Sequence, residues 1–312
     1  MIRRGSGRGK LILFGEHAAV YGSPAVGTSL ECGTELTWRP GNNLMTPDEK
    51  ANDREVFIEL LDKAVKKDSG INPKGIWRRY GNVPRAGGFG SSAALCVALT
   101  RVLMNYTTDV YDRDVHRFAN SLEGLFHGNP SGIDTGMASD TGPSEWTAVK
   151  GDVPQRRPVR IPEWHLAYGA LPRTGSTAES VACLGRLREA GDPAVIEGLS
   201  RLGSIAESFK TLSDMRVTEF PRDAANLVNR AHDILRTLGL SVPSLEEILG
   251  MSVDYGALGG KLSGGGLGGA FFLCFPDKST RDSVLGKLNR EIRSKNIRLV
   301  VPLTPLSLGR PS

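Results

Sequence analysis

The sequence predicts an α+β chain of two lobes. Three observations carry this. The 312 residues suffice for one large domain or two lobes, and 39% hydrophobic against 23% charged is the balance of a globular protein. Strand-like and helix-like stretches follow one another with no internal repeat of solenoid length. No Gly/Ser- or Pro-rich linker cuts the chain, so the expected lobes, 1–155 and 156–312, share an interface near 140–175.

The elements follow from periodicity and breakers. Residues 10–14, Lys-Leu-Ile-Leu-Phe, read as a buried strand that runs into a loop from Gly15 to Gly22, and a second strand begins near Pro24. Residues 33–39 alternate like a half-exposed strand and stop at Pro40 and Gly41. Over 48–67, Val56, Leu60, Leu61 and Val65 share one helical face. A strand at 75–80 feeds a glycine-rich loop, and 92–105 is an apolar helix. Residues 112–127 form a helix that breaks at Gly128 and Pro130. The polar stretch 139–163 holds short strands and a turn; 166–171 is a strand, and 178–190 a helix. Helices at 194–213, 221–238 and 244–257, a strand at 271–275, a helix at 279–294 and a strand at 297–301 complete the chain.

The net charge of +5 is modest, and the basic residues are not interleaved with aromatics as on a nucleic-acid surface. Cys32, Cys96, Cys183 and Cys274 are too far apart for a metal motif or a redox pair, which fits reduced thiols. The apolar run 11–14 is too short for a signal peptide, and no run reaches membrane-span length. The expected setting is cytoplasmic, with no membrane or nucleic-acid partner.

Chemistry concentrates in four blocks. From Pro84 to Leu95, Gly87, Gly88 and Gly90 lead into Ser91, Ser92 and an apolar helix. Glycines bare the peptide N–H groups, and a helix N-terminus binds anions, phosphate above all. The other reading is a tight turn before a buried helix. It is not a Walker loop, because no Gly-Lys-Ser/Thr closes it. The second block runs from Gly9 and Lys10 to Gly22 and places Glu16 and His17 just after a strand, where ligand contacts collect. His17 read alone is equally a satisfied loop histidine. The third is the glycine tract from Lys261 to Ala270, and the fourth the acidic pair Glu123 and Asp134. Two glycine loops, two carboxylates and a lysine fit a nucleotide–magnesium site. Asp134 equally fits an N-cap of a helix starting near Thr135.

Together these blocks resemble the GHMP kinases, small-molecule kinases named for galactose, homoserine, mevalonate and phosphomevalonate. All three family motifs occur in order, at Gly9–Lys10 with 15–22, at 84–94 and at 261–266. The octet from Gly15 to Gly22 and the block from His127 to Asp134 are most similar to the mevalonate-phosphorylating members. The resemblance implies an N-terminal lobe like ribosomal protein S5 domain 2, carrying nucleotide and catalysis. It implies a ferredoxin-like C-terminal lobe that shapes the substrate pocket.

By the same resemblance, Pro84, Gly87, Gly88, Gly90, Ser91 and Ser92 would cradle the phosphates of ATP. Ser92 and Glu123 would hold Mg2+. Asp134 would act as base on the acceptor hydroxyl, with Lys10 beside both. Glu16, His17, Thr177 and Gly265 would position the acceptor, mevalonate. The implied product is 5-phosphomevalonate, and the assembly it allows is a homodimer. The alternatives are another GHMP kinase, acting on phosphomevalonate or a different hydroxy acid or sugar, and a non-catalytic metabolite sensor. The chain departs from the family at Arg8, Phe89, Leu267 and Ala270, and at Ala178, where many members carry a basic residue. A cation lost beside an anionic substrate should matter.

Overall fold

A computed structural model describes residues 2–47, 50–68, 70–84, 87–128, 130–215 and 219–308. Two sheets organise the described residues. The first holds β1 (Arg3–Phe14), β2 (Ala25–Pro40), β3 (Leu44–Met45), β4 (Gly75–Gly81), β5 (Pro143–Val149) and β6 (Asp152–Pro158). Its path is β3-β4-β2-β5-β6, with β1 antiparallel to β2. The second is fully antiparallel, in the order β10-β7-β9-β8, from β7 (Trp164–Leu171), β8 (Gly259–Leu262), β9 (Gly269–Phe275) and β10 (Val301–Leu308). This is the expected α+β arrangement.

Helices α1 (Ala51–Lys67), α2 (Ser91–Leu103), α3 (Arg113–His127) and the short α4 (Ile133–Ala138) belong to the first half. Helices α5 (Thr177–Glu189), α6 (Pro193–Asp214), α7 (Phe220–Thr237), α8 (Pro243–Asp254) and α9 (Lys278–Ser294) belong to the second. No described helix is long and apolar enough to cross a membrane.

Strand β1 is much longer than the 10–14 read from the sequence, because glycine is a poor strand former and Gly5, Gly7 and Gly9 hid its first half. Those glycines are there for close packing. A Cβ at Gly5 would stand 2.3 Å from the Ala98 carbonyl oxygen, and one at Gly7 2.1 Å from that of Ala94. Helix α2 therefore lies directly on the β1 backbone. The β1–β2 ladder shifts register between Arg8 and Lys10. Such a bulge re-aims the side chain next to it, and here that side chain is Lys10.

The second difference is β10, which spans 301–308 and not 297–301. It contains Pro302 and Pro305, which read as breakers. Both are tolerated because β10 is an edge strand that pairs only with β7. The two strands read at 24–26 and 33–39 are one, β2.

Two apolar cores result. One lies between α1, α2, α3 and the first sheet, around Phe57, Leu60, Trp77, Leu99 and Leu122. The other crosses the seam. Leu11, Leu13, Phe14, Val26 and Phe89 from the first half join Trp164, Phe209, Phe220 and Phe272 from the second. The rings of Phe14 and Phe209 lie 4.4 Å apart, and those of Phe89 and Tyr168 5.2 Å apart. Phe89 of the glycine loop is thus an anchor into the second half. The site forms where these halves meet.

Candidate active site

The glycine loop is pinned to β1. The Lys10 amide donates to the Phe89 carbonyl oxygen at 3.0 Å. Gly88 and Gly90 have φ of 86° and 72°, in the left-handed region that favours glycine. Gly90 is the N-cap of α2, and no side chain caps that helix end. A helix end without a side-chain cap among the described residues, opening from a glycine loop, is the arrangement that binds phosphate. Pro84 is half-buried at the entry to the loop. Arg85, Ala86 and Asn129 lie outside the described residues.

Ser92, in the first turn of α2, donates from Oγ to Glu123 Oε1 at 2.7 Å. Glu123 comes from α3 and is 1% exposed. His127, one turn on, puts Nε2 3.3 Å from the same oxygen, and this contact raises the imidazole above its ordinary value. The second carboxylate oxygen, Oε2, is buried with no partner nearer than the weak Cys96 thiol donor among the described residues. A buried carboxylate oxygen without a donor is costly unless a cation completes it. A hydroxyl and a carboxylate facing a phosphate cradle suit Mg2+, which keeps waters and substrate phosphates in its shell. Among the described residues no three His, Cys, Asp or Glu side chains gather into an all-protein cage.

Lys10 and Asp134 meet on the other side of the loop, Nζ to Oδ1 at 3.0 Å. The lysine side chain is 6% exposed and the aspartate 39%. Asp134 is not a helix cap: the N-cap of α4 is Gly132, and no side chain caps it. The carboxylate is thus free of the backbone and aimed at Lys10. Its helix is held from below, where His116 Nε2 hydrogen-bonds the Gly132 carbonyl at 2.7 Å. Burial pushes His116 down to about 4, so the ring is neutral and donates.

Glu16 and His17 follow β1 in a strained turn. His17 has φ of 58°, a conformation few non-glycine residues adopt. Burial lowers its imidazole to about 4, and Nε2 is buried without a partner. A neutral ring with an open nitrogen fits a hydroxyl ligand. Glu16 stands beside His17 and has a protein partner of its own. It is 3% exposed and ion-paired with Lys261, which also donates to the Leu262 carbonyl at 2.8 Å. Burial pushes the Glu16 carboxyl up and the Lys261 ammonium down, and each opposes the other's shift. Only Oε2 of Glu16 remains without a partner.

Thr177 opens α5, behind a capping box of Ser176 and Glu179. A Cβ at Gly265 would stand 2.6 Å from Thr177 Oγ1, so the third glycine tract lies against the threonine. The fold thus brings Glu16, His17, Thr177 and Gly265 to one end of the site, and Ser92 with Glu123 to the other. Lys10 and Asp134 stand between.

Two residues in the site escaped the sequence reading. Lys261 lies in a fully buried strand; a lysine among apolar neighbours signals a buried partner. Arg173 Nη1 donates to Thr177 Oγ1 at 3.0 Å; nothing in its loop sequence singles it out. Surface depressions of about 520 and 510 Å3 on the first sheet share no residue with this site.

A phosphate cradle, a cation seat and a lysine–aspartate pair at one seam define a small-molecule kinase. Comparison with known proteins agrees. Residues 56–142 match the GHMP kinases N terminal domain and residues 217–294 the GHMP kinases C terminal, together over half of the chain. The chain belongs to the GHMP kinase family.

Its relatives include the mevalonate kinase of Thermococcus gammatolerans, 27% identical over 302 residues, covering 87% of this chain and 88% of that one. That of Archaeoglobus fulgidus is 27% identical over 293 residues, covering 92% and 97%. Among solved structures, L. major mevalonate kinase in complex with R-mevalonate superposes with a TM-score of 0.79. It is 22% identical and covers 99% of this chain and 96% of that one. At that identity the likeness speaks for the fold.

Proposed function

We propose that the protein transfers the γ-phosphoryl group of ATP to the 5-hydroxyl of mevalonate, giving 5-phosphomevalonate and ADP. The observation that carries this is the Lys10–Asp134 pair, 3.0 Å apart and directly against the glycine loop. A primary alcohol does not ionise at neutral pH, so transfer needs a group that takes its proton. Asp134 does not cap its helix and is 39% exposed beside Lys10, and takes that proton as the oxygen–phosphorus bond forms. The bond from phosphorus to the bridging oxygen breaks, and ADP leaves. Lys10 stabilises charge on the acceptor oxygen. The loop and the first amides of α2 hold the phosphates. Ser92 and Glu123 would hold Mg2+, which neutralises phosphate charge. His17 and Thr177 orient the acceptor, and Glu16 supports the turn that presents His17.

The names of the relatives favour mevalonate over phosphomevalonate or a sugar. The intact Lys10, Ser92, Glu123 and Asp134 disfavour a sensor without activity. The test is ADP release over mevalonate, phosphomevalonate, homoserine and galactose, with Asp134→Asn alongside. Mevalonate should give the highest kcat/KM. Asp134→Asn should lose roughly 10²–10⁴ in turnover with ATP affinity and Tm kept. A folded, ATP-binding Asp134→Asn protein that retains wild-type turnover would remove Asp134 from the base role.

A further inference from the structure

Arg173 lies in the loop between β7 and α5, and its guanidinium sits among backbone. A Cβ at Gly88 would stand 2.8 Å from Nη2, and one at Gly269 2.7 Å from Nε. Gly88 belongs to the phosphate loop and Gly269 opens β9, so the arginine touches two of the three glycine blocks. Its third neighbour is Thr177, bonded to Nη1 at 3.0 Å. Asp134 is the charge that acts on it, opposing the downward pull of burial.

What the guanidinium lacks is a counter-charge. Among the described residues Nη1 has the one protein acceptor, and Nε is buried with none. A partly buried guanidinium without an anion is costly. Nη2 has no acceptor among the described residues and is not among the buried nitrogens, so it can donate a charge-assisted hydrogen bond to a carboxylate. Two anions come to this site, the nucleotide phosphates and the acid group of the acceptor. The phosphates already have the amides of α2, the Ser92–Glu123 cation seat and Lys10. The carboxylate has no cation from the residues placed so far.

We propose that Arg173 is a specificity residue: it receives the carboxylate of the acceptor and selects a hydroxy acid over a neutral alcohol. Thr177 holds Nη1 of the guanidinium and leaves Nη2 for the ligand. The inference rests on the mevalonate reading above, and the two fail separately. Wild-type turnover of mevalonate tests that reading; the preference for acid over alcohol tests Arg173.

The experiment compares kcat/KM for mevalonate and for 3-methylpentane-1,3,5-triol, in which a hydroxymethyl group replaces the carboxylate. In Arg173→Gln the mevalonate-to-triol ratio should fall by about 10- to 100-fold, the span of a charge-assisted hydrogen bond. The KM for ATP should stay as in wild type. If Arg173→Gln does not fold, Arg173→Lys replaces it, since lysine keeps the charge and loses the fork; the same ratio should fall. An equal proportional loss on both acceptors overturns the proposal, because the cation would then serve the transferred phosphoryl group. An unchanged ratio with unchanged rates overturns it as well.

Discussion

Replacing Gly90 by alanine tests whether the glycine loop sets the position of Lys10, the lysine proposed to act in the transfer. Gly90 has φ of 72°, and a Cβ there would stand 2.9 Å from Cγ and 3.3 Å from Cε of Lys10. An L-residue in that conformation costs about 1–2 kcal/mol. The backbone of Lys10 cannot retreat, because its amide is bonded to the Phe89 carbonyl at 3.0 Å. Relief must come from the lysine stem, which swings Nζ away from its 3.0 Å contact with Asp134. A misplacement of about 1 Å at the reacting groups costs on the order of 10²-fold. The expected variant is folded, melts a few degrees lower (roughly 2–4 °C per kcal/mol for chains somewhat shorter than this one) and turns over about 100-fold more slowly. ATP affinity should change much less, since the added methyl points at Lys10. The assay is single-turnover ADP formation, with ATP binding and Tm measured in parallel. Wild-type turnover at a lowered Tm would refute the reasoning, because the strain would be present and Lys10 undisturbed.

Glu123→Gln should raise the Mg2+ concentration needed for half-maximal rate and cut turnover, because the amide replaces the buried charge beside Ser92; an unchanged Mg2+ titration in a folded variant excludes Glu123 from the metal shell. Stability should fall as the medium is acidified. His17 and His116 are both lowered to about 4 by burial, whereas histidines of the unfolded chain take protons near 6.5. Between those values the unfolded chain binds more protons, so the two contributions are present above about pH 6.5 and lost on the way down to about pH 4. Urea midpoints should therefore drop between about pH 7 and about pH 5, and less steeply in His116→Gln; a flat wild-type profile contradicts this.

The legible parts of the site were those whose chemistry is local in sequence. A glycine loop opening a helix must be contiguous, because consecutive amides make the cradle, so Gly87 through Ser92 stood out. Lys10, Glu123 and Asp134 were found because each adjoins a breaker or a motif. Partners chosen across the fold were illegible. Lys261 pairs with Glu16 from 245 positions away, and no local pattern states that. Arg173 looks like any loop arginine until the glycines of two other segments surround it. The capping role considered for Asp134 failed because Gly132, in the left-handed region with φ of 82°, occupies the cap. Strand β1 was half hidden because its glycines answer to α2 and not to strand propensity.

The same distant contacts explain how the two halves share one reaction centre. Strand β1 carries Lys10 at its middle and presents Glu16 and His17 at its end. Beyond Lys10 it is tied to the second half at two points. Ser263 Oγ donates to the Ile12 carbonyl at 2.8 Å and accepts from the Ile12 amide at 3.1 Å. Glu16 then closes the buried pair with Lys261. Ser263 and Lys261 are consecutive inward positions around the end of β8, two residues before Gly265, which lies against Thr177. The distance from the Glu16–His17 turn to the glycine loop is thus set by a strand and buried polar contacts. A buried ion pair adds little net stability against an apolar pair of equal size, but breaking one side costs several kcal/mol. Its value here is positional: it fixes where His17 and Thr177 stand relative to Lys10. Transfer between two bound molecules depends on such fixed separations, and loops alone would not hold them.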